Sequence, residues 1–99
     1  MSYKLHSTNE FKKWFSSLKD VTSRRKLLAR LDRIENGNFG DSKQIGSNLF
    51  ELRFFFGAGF RIYYTVKNET VVLLLVGGDK ASQKKDIARA EKILQEMEK

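Results

Sequence analysis

The chain contains no cysteine, and that absence alone excludes disulfide staples, thiol nucleophiles, iron–sulfur clusters and cysteine-based zinc sites. Proline is also missing, and no Gly/Ser linker, internal repeat or low-complexity tract divides the chain. The single histidine, His6, stands apart from any regular carboxylate cluster, which argues against a metal site and against a Ser-His-Asp arrangement. Apolar runs are short. The longest, Val71 to Val76, falls far below the roughly 20 residues a bilayer-spanning helix needs, and the N-terminal stretch lacks the apolar centre of a signal peptide. The expectation is a soluble, cytoplasmic protein with no membrane partner, no metal and no cofactor.

What is present suffices for one folded domain. Of 99 residues, 40% are hydrophobic and 12% aromatic, enough apolar area to offset chain entropy in a single unit spanning 1–99. Nineteen Lys plus Arg against twelve Asp plus Glu leave a net charge of +7. The excess is uneven: +6 over 1–34, −1 over 35–79 and +2 over 80–99. A basic surface of this kind attracts polyanions, and nucleic acid or a ribonucleoprotein is the commonest candidate; solubility or an acidic protein partner would account for it too.

Hydrophobic spacing orders the elements. Ser7 and Glu10 have the spacing of a capping box, and Phe11, Trp14, Phe15 and Leu18 follow on one helical face. A second helix is expected from near Thr22 to Asn36-Gly37, burying Leu27, Leu28, Leu31 and Ile34, with Arg24, Arg25, Lys26, Arg30 and Arg33 turned outward. From Leu49 the period changes to two. Phe50, Leu52, Phe54 and Phe56 alternate with Glu51, Arg53 and Phe55; after Gly57-Ala58-Gly59, the alternation resumes from Phe60 to Val66, as in a β-hairpin. Val71 to Val76, apolar on both faces, reads as a central strand, and Ile87, Ala90, Ile93, Leu94 and Met97 mark a last helix. Tyr3 to Leu5 and Lys43 to Ile45 are candidate edge strands. The sum is an α+β domain.

A hairpin with Phe56 opposite Phe60 sets Phe55 against Arg61 and Arg53 against Tyr63. Pairing Lys67 with Thr70 in the next turn brings Arg61 beside Val76, near the loop carrying Lys80, Lys84 and Lys85. Guanidinium groups hold phosphate in bidentate fashion, and an aromatic face stacks on an unpaired base. Arg53, Arg61, Phe55 and Tyr63 therefore outline an RNA platform, unless Arg53 is spent on Glu51 or Glu69 and Phe55 covers a second core. Arg24, Arg25 and Lys26 are candidate auxiliary RNA contacts, although helical basic residues are more often a solvated face. Gly77-Gly78-Asp79-Lys80 lacks the spacing of a nucleotide phosphate loop.

Three strings, Phe50-Glu51-Leu52-Arg53, Gly57-Ala58-Gly59-Phe60-Arg61-Ile62-Tyr63-Tyr64 and Leu74-Leu75-Val76-Gly77-Gly78-Asp79-Lys80, occur in an order that resembles the RelE/ParE toxin superfamily. Within it the chain is most similar to the HigB-like, phage Gp49-like addiction-module killer proteins. The resemblance implies a RelE-like fold, with two N-terminal helices on a twisted, mainly antiparallel sheet and a C-terminal helix. It further implies a type II toxin neutralised by an antitoxin, often one with a helix-turn-helix DNA-binding domain. Many members cut mRNA in the ribosomal A site, so mRNA and the ribosome are implied partners; the ParE branch instead acts on DNA gyrase without cutting RNA. Carried over by position, Arg61 matches the arginine after the Gly-x-Gly-aromatic turn, Arg53 a basic residue on the preceding strand, and Lys80 a basic residue after the last strand. Lys84 or Lys85 falls near a position that some relatives fill with a tyrosine base. Two departures stand out: Ala58 where close relatives have Pro, and Glu51 where ribonuclease members have Lys.

Overall fold

The computed structural model describes residues 2–98. The order is β1 (Lys4–Ser7), α1 (Asn9–Ser17), α2 (Val21–Glu35), β2 (Ser42–Gly46), β3 (Leu49–Arg53), β4 (Arg61–Lys67), β5 (Val71–Gly78) and α3 (Gln83–Met97). The strands form one sheet in the order β1-β5-β4-β3-β2, with β1 parallel to β5 and every other pair antiparallel. No helix among the described residues is long and apolar enough to cross a membrane.

Each sheet face has its own core. Phe11, Leu27, Leu31 and Ile34 of the first two helices pack with Leu52, Ile62, Tyr64, Val72 and Leu74 on one side. Ala90 and Leu94 of α3 pack with Leu49, Tyr63, Leu75 and Val76 on the other. A bulge between Tyr63 and Tyr64 inserts Leu75 as an extra residue of β5, so Leu75 and Val76 are consecutive yet both lie in the α3-side cluster. Beyond the bulge, Gly77 lies against the Trp14 ring and Gly78 against the Asp86 carboxylate, each so close that a Cβ would overlap its neighbour.

Three local expectations change. The N-cap of α1 is Thr8, not Ser7: its Oγ1 accepts from the Phe11 N–H at 3.0 Å and donates to the Leu75 carbonyl at 2.7 Å. Ser7 is taken up by pairing with Leu74, and Glu10 reaches Arg89 of α3 rather than its own cap. Leu28 is 48% exposed, because the inward stripe of α2 runs through Ser23, Leu27, Leu31 and Ile34. The hairpin register is also two residues from the expected one: Arg53 faces Arg61, and Glu51 faces Tyr63.

The register shift has an aromatic cause. β3 ends at Arg53, and residues 54–60 form a longer loop closed by the Phe54 N–H donating to the Phe60 carbonyl at 3.1 Å. Phe56 lies 5.7 Å from Phe60 and 5.9 Å from Phe54 by ring centroid, while Trp14 lies 6.2 Å from Phe60, so the loop folds its rings into the helix-side core. A shift of two preserves side-chain parity. Arg53 and Arg61 thus remain on the side first assigned to them, although their cross-strand partners change. Across the next pair, the bulge helps to place Arg61 opposite Gly78 instead of Val76.

The α2 stripe predicts a clear contrast in urea denaturation. Leu27→Ala, at a fully buried site, should cost about 2–5 kcal/mol, whereas Leu28→Ala should fall within about 0.5 kcal/mol of the parent.

Candidate functional site

Arg61 opens β4 with its side chain pulled back beneath the 54–60 loop. Its Nη1 lies within hydrogen-bond distance of three carbonyls, those of Gly59 at 3.0 Å, Phe60 at 3.1 Å and Phe54 at 3.4 Å. Nε is buried without a partner, and the residue is only 8% exposed. Nη2 is therefore the part of the guanidinium left to reach the surface. The loop can wrap this group because Gly57 and Gly59 adopt φ of 57° and 74°, a region costly for residues bearing a Cβ. A Cβ at Gly59 would also sit 3.4 Å from Lys80 Cβ and 3.7 Å from Arg61 Nη1, which shows how closely these segments converge.

The backbone N–H of Lys80 donates to the Ala58 carbonyl at 3.4 Å, joining the end of β5 to the loop. The result is an open groove lined by Phe54, Phe55, the turn Gly57 to Gly59, Arg61 and Lys80. Two of its lining residues are cationic, and none is acidic. Phe55 stands 79% exposed at its edge, outside the aromatic cluster that absorbs Phe54, Phe56 and Phe60.

Arg53 lies across the ladder from Arg61, a like-charge pair that sheets ordinarily disfavour. Its side chain is 37% exposed and forms an ion pair with Asp41 at 3.4 Å, instead of pairing with Glu51 or Glu69. Behind it is a residue expected to face solvent. Arg30 donates from Nη1 to the Arg53 carbonyl at 2.9 Å and from Nη2 to the Asp41 carbonyl at 2.9 Å, with its guanidinium 4.7 Å from the Phe54 ring centre. Burial lowers the Arg30 pKa, and the Asp41 charge opposes that shift. The signal was present in the spacing: position 30 lies three residues after Leu27 and four before Ile34, at the border of the inward stripe.

Tyr63 departs from its proposed role as a stacking surface. It is fully buried under α3, where its hydroxyl lacks a well-formed hydrogen bond. Burial first, then the Glu51 carboxylate, raises its pKa well above the usual phenol value. Glu51 is itself buried and accepts from Gln83 Nε2 at 2.8 Å, while Asp86 accepts from Ser82 Oγ at 2.5 Å. Lys84 and Lys85 are exposed on the first turn of α3 and do not line the groove. Of the basic triplet on α2, Lys26 lies 4.9 Å from the Phe56 ring centre, Arg24 reaches the Leu18 carbonyl at 3.4 Å, and Arg25 is exposed. His6 is on the edge strand β1, away from the groove lining.

The family model described as "Phage derived protein Gp49-like (DUF891)" matches residues 13–98. A Haemophilus influenzae protein whose function is uncharacterized is 41% identical over 97 residues, covering 98% of each chain. Among solved structures, a double arginine-to-alanine variant of Escherichia coli toxin RelE in the free state aligns with a TM-score of 0.75 at 20% identity, covering 93% of this chain and 97% of that one. The intact E. coli RelBE toxin–antitoxin complex aligns with a TM-score of 0.66 at 23% identity, covering 79% and 96%. The RelE variant bound to a RelB antitoxin peptide gives 0.65 at 24% identity, covering 89% and 95%.

The buried hydroxyl generates a test. Tyr63→Phe removes a polar atom with little to bond to, so it should leave stability unchanged or raise it by up to about 1 kcal/mol. Because the folded hydroxyl holds its proton more tightly than the unfolded one, stability is intact below the ordinary phenol pKa of 10.0 and declines as pH climbs past it. Denaturation midpoints measured across that range should fall less steeply in the variant than in the parent.

Proposed function

The chain belongs to the Gp49-like family of phage-derived proteins, and from that premise, with the RelE fold in place, we propose that it is the toxin of a type II toxin–antitoxin module and cuts mRNA on the ribosome. The single observation that carries the reading is the groove, where Arg61 and Lys80 face a common space that no carboxylate neutralises. The solved RelE relatives include complexes with an antitoxin, which supports a cognate antitoxin as the partner here.

The chemistry asks little of the protein beyond charge and alignment. A ribose 2′-oxygen attacks the adjacent phosphorus, the bond to the 5′-oxygen breaks, and the products are a 2′,3′-cyclic phosphate and a 5′-hydroxyl. The non-bridging oxygens carry more charge in the transition state than in the substrate. A guanidinium already desolvated by its loop therefore favours the transition state more strongly than one in free water. Arg61 Nη2 and the Lys80 ammonium supply that stabilisation, while Arg53, held by Asp41, lies outside the groove lining. Lys80 also carries protons that the departing 5′-oxygen can take. The 2′-hydroxyl proton leaves to water or to a ribosomal group, since Tyr63 is sealed under α3 and Lys84 and Lys85 lie off the groove. Alignment by the ribosome accounts for a site so poor in acid–base groups.

Inducing the parent, Arg61→Ala, Arg61→Lys and Lys80→Ala in cells and mapping mRNA ends tests the reading. Loss of a transition-state contact should lower cleavage by about 10²–10³ for Arg61→Ala. Lys80→Ala should also be impaired, and it alters an exposed side chain, separating catalysis from the structural work of Arg61. Undiminished cleavage by both variants would falsify the clamp. Growth arrest with intact mRNA and a DNA-damage response would instead identify a ParE-like gyrase inhibitor.

A further inference from the structure

Resting on that reading, we infer that Phe55 forms a subsite for one unpaired nucleobase of single-stranded RNA, next to the phosphate held by Arg61 and Lys80. The loop has four phenylalanines, at 54, 55, 56 and 60. Three contribute to the helix-side core, and Phe55 alone turns its ring outward, at 79% exposure. Packing does not require that orientation. Exposing an aromatic ring forgoes its burial energy, so this residue contributes little to stability where it stands.

Its surroundings select the ligand class. A protein-docking hot spot is an aromatic anchor inside a patch of other contacts that exclude water. Among the described residues the other large exposed apolar side chains are Val21 and Leu28 of α2, and neither lines the groove with Phe55. Beside Phe55 are instead a guanidinium, an ammonium and the backbone of a glycine turn, all lining one groove. A π-face adjoining two cations is complementary to a nucleotide, with phosphate on the charges and base on the ring. The α2-facing edge extends the same field, with Lys26 held over Phe56 in the adjoining part of the loop.

Stacking uses the face of a base and not its hydrogen-bonding edge. The subsite therefore accepts all four bases and favours purines through their larger overlap. Tyr63, the other aromatic proposed for stacking, contributes nothing because it is fully buried beneath α3.

The test uses the purified full chain with two probes of equal length: oligoadenylate, and an abasic ribose-phosphate oligomer. Phe55→Leu keeps an apolar side chain and removes the π-face; at an exposed site it should leave the melting temperature unchanged, which controls for folding. We expect it to weaken oligoadenylate binding by about 5- to 100-fold, to leave abasic binding unchanged, and to be rescued by Phe55→Trp. Lys80→Ala should weaken both probes equally. Phe55→Leu binding oligoadenylate as tightly as the parent, or losing both probes alike, overturns the subsite, as does a parent that fails to distinguish the probes. Phe55-dependent base binding by a parent that leaves cellular mRNA intact would keep the subsite and remove the nuclease reading. Cleavage that needs Arg61 and Lys80 but not Phe55, with the two probes bound alike, would do the reverse.

Discussion

The guanidinium of Arg61, turned back onto the carbonyls of Phe54, Gly59 and Phe60, is the contact on which the groove depends. A buried cation needs compensation, and among the described residues Arg61 has no salt bridge. Three carbonyl dipoles perform that function through one nitrogen. They also fix the loop's shape, because the same carbonyls belong to the residues at its two ends. Charge, loop conformation and groove are consequently one coupled arrangement, held through Nη1.

The remaining architecture holds that arrangement still. Arg30 binds the carbonyls of Arg53 and Asp41 and covers Phe54, so α2 supports the strand end from which the loop departs. Trp14, Phe56 and Phe60 anchor the loop's inner side. On the opposite sheet face, Gln83 reaches Glu51, and Ser82 reaches Asp86 against Gly78. The end of β5 and the start of α3 are thereby held beside Arg61. Two arginines face each other across β3 and β4, and Asp41 neutralises one of them. The unbalanced positive charge is left on the groove side.

Much of this was legible in the chain before the fold was known. Helix α2 ends at Asn36-Gly37 as its composition indicates, with Gly37 at φ 89°, and the period-two run from Leu49 does pair with the run ending at Val66. Strand pairing and alternation bring Arg61, Lys80 and Phe55 to one end of the sheet, and all three line one groove even though the hairpin register behind that expectation is off by two. Arg30 and Tyr63 depart from their expected places for one shared reason. Their identities suggested surface roles, and only contacts with residues distant in sequence reveal that one guanidinium is tied down and one phenol is sealed off. Lys84 and Lys85 illustrate the same limit, since nearness in sequence to Lys80 did not carry them into the groove.

The sequence by itself determined the element order, the apolar faces and the excess of positive charge, because periodicity and composition act between near neighbours or need no neighbours. Tertiary structure decided the hairpin register, the bulge at Leu75, the inward turn of Arg30 and the separate fates of Phe55 and Tyr63. These depend on how aromatic volume from α1, α2 and the loop fills one face of the sheet, and on where α3 closes the other. Such packing is a property of the assembled layers, and no local window of the chain contains it.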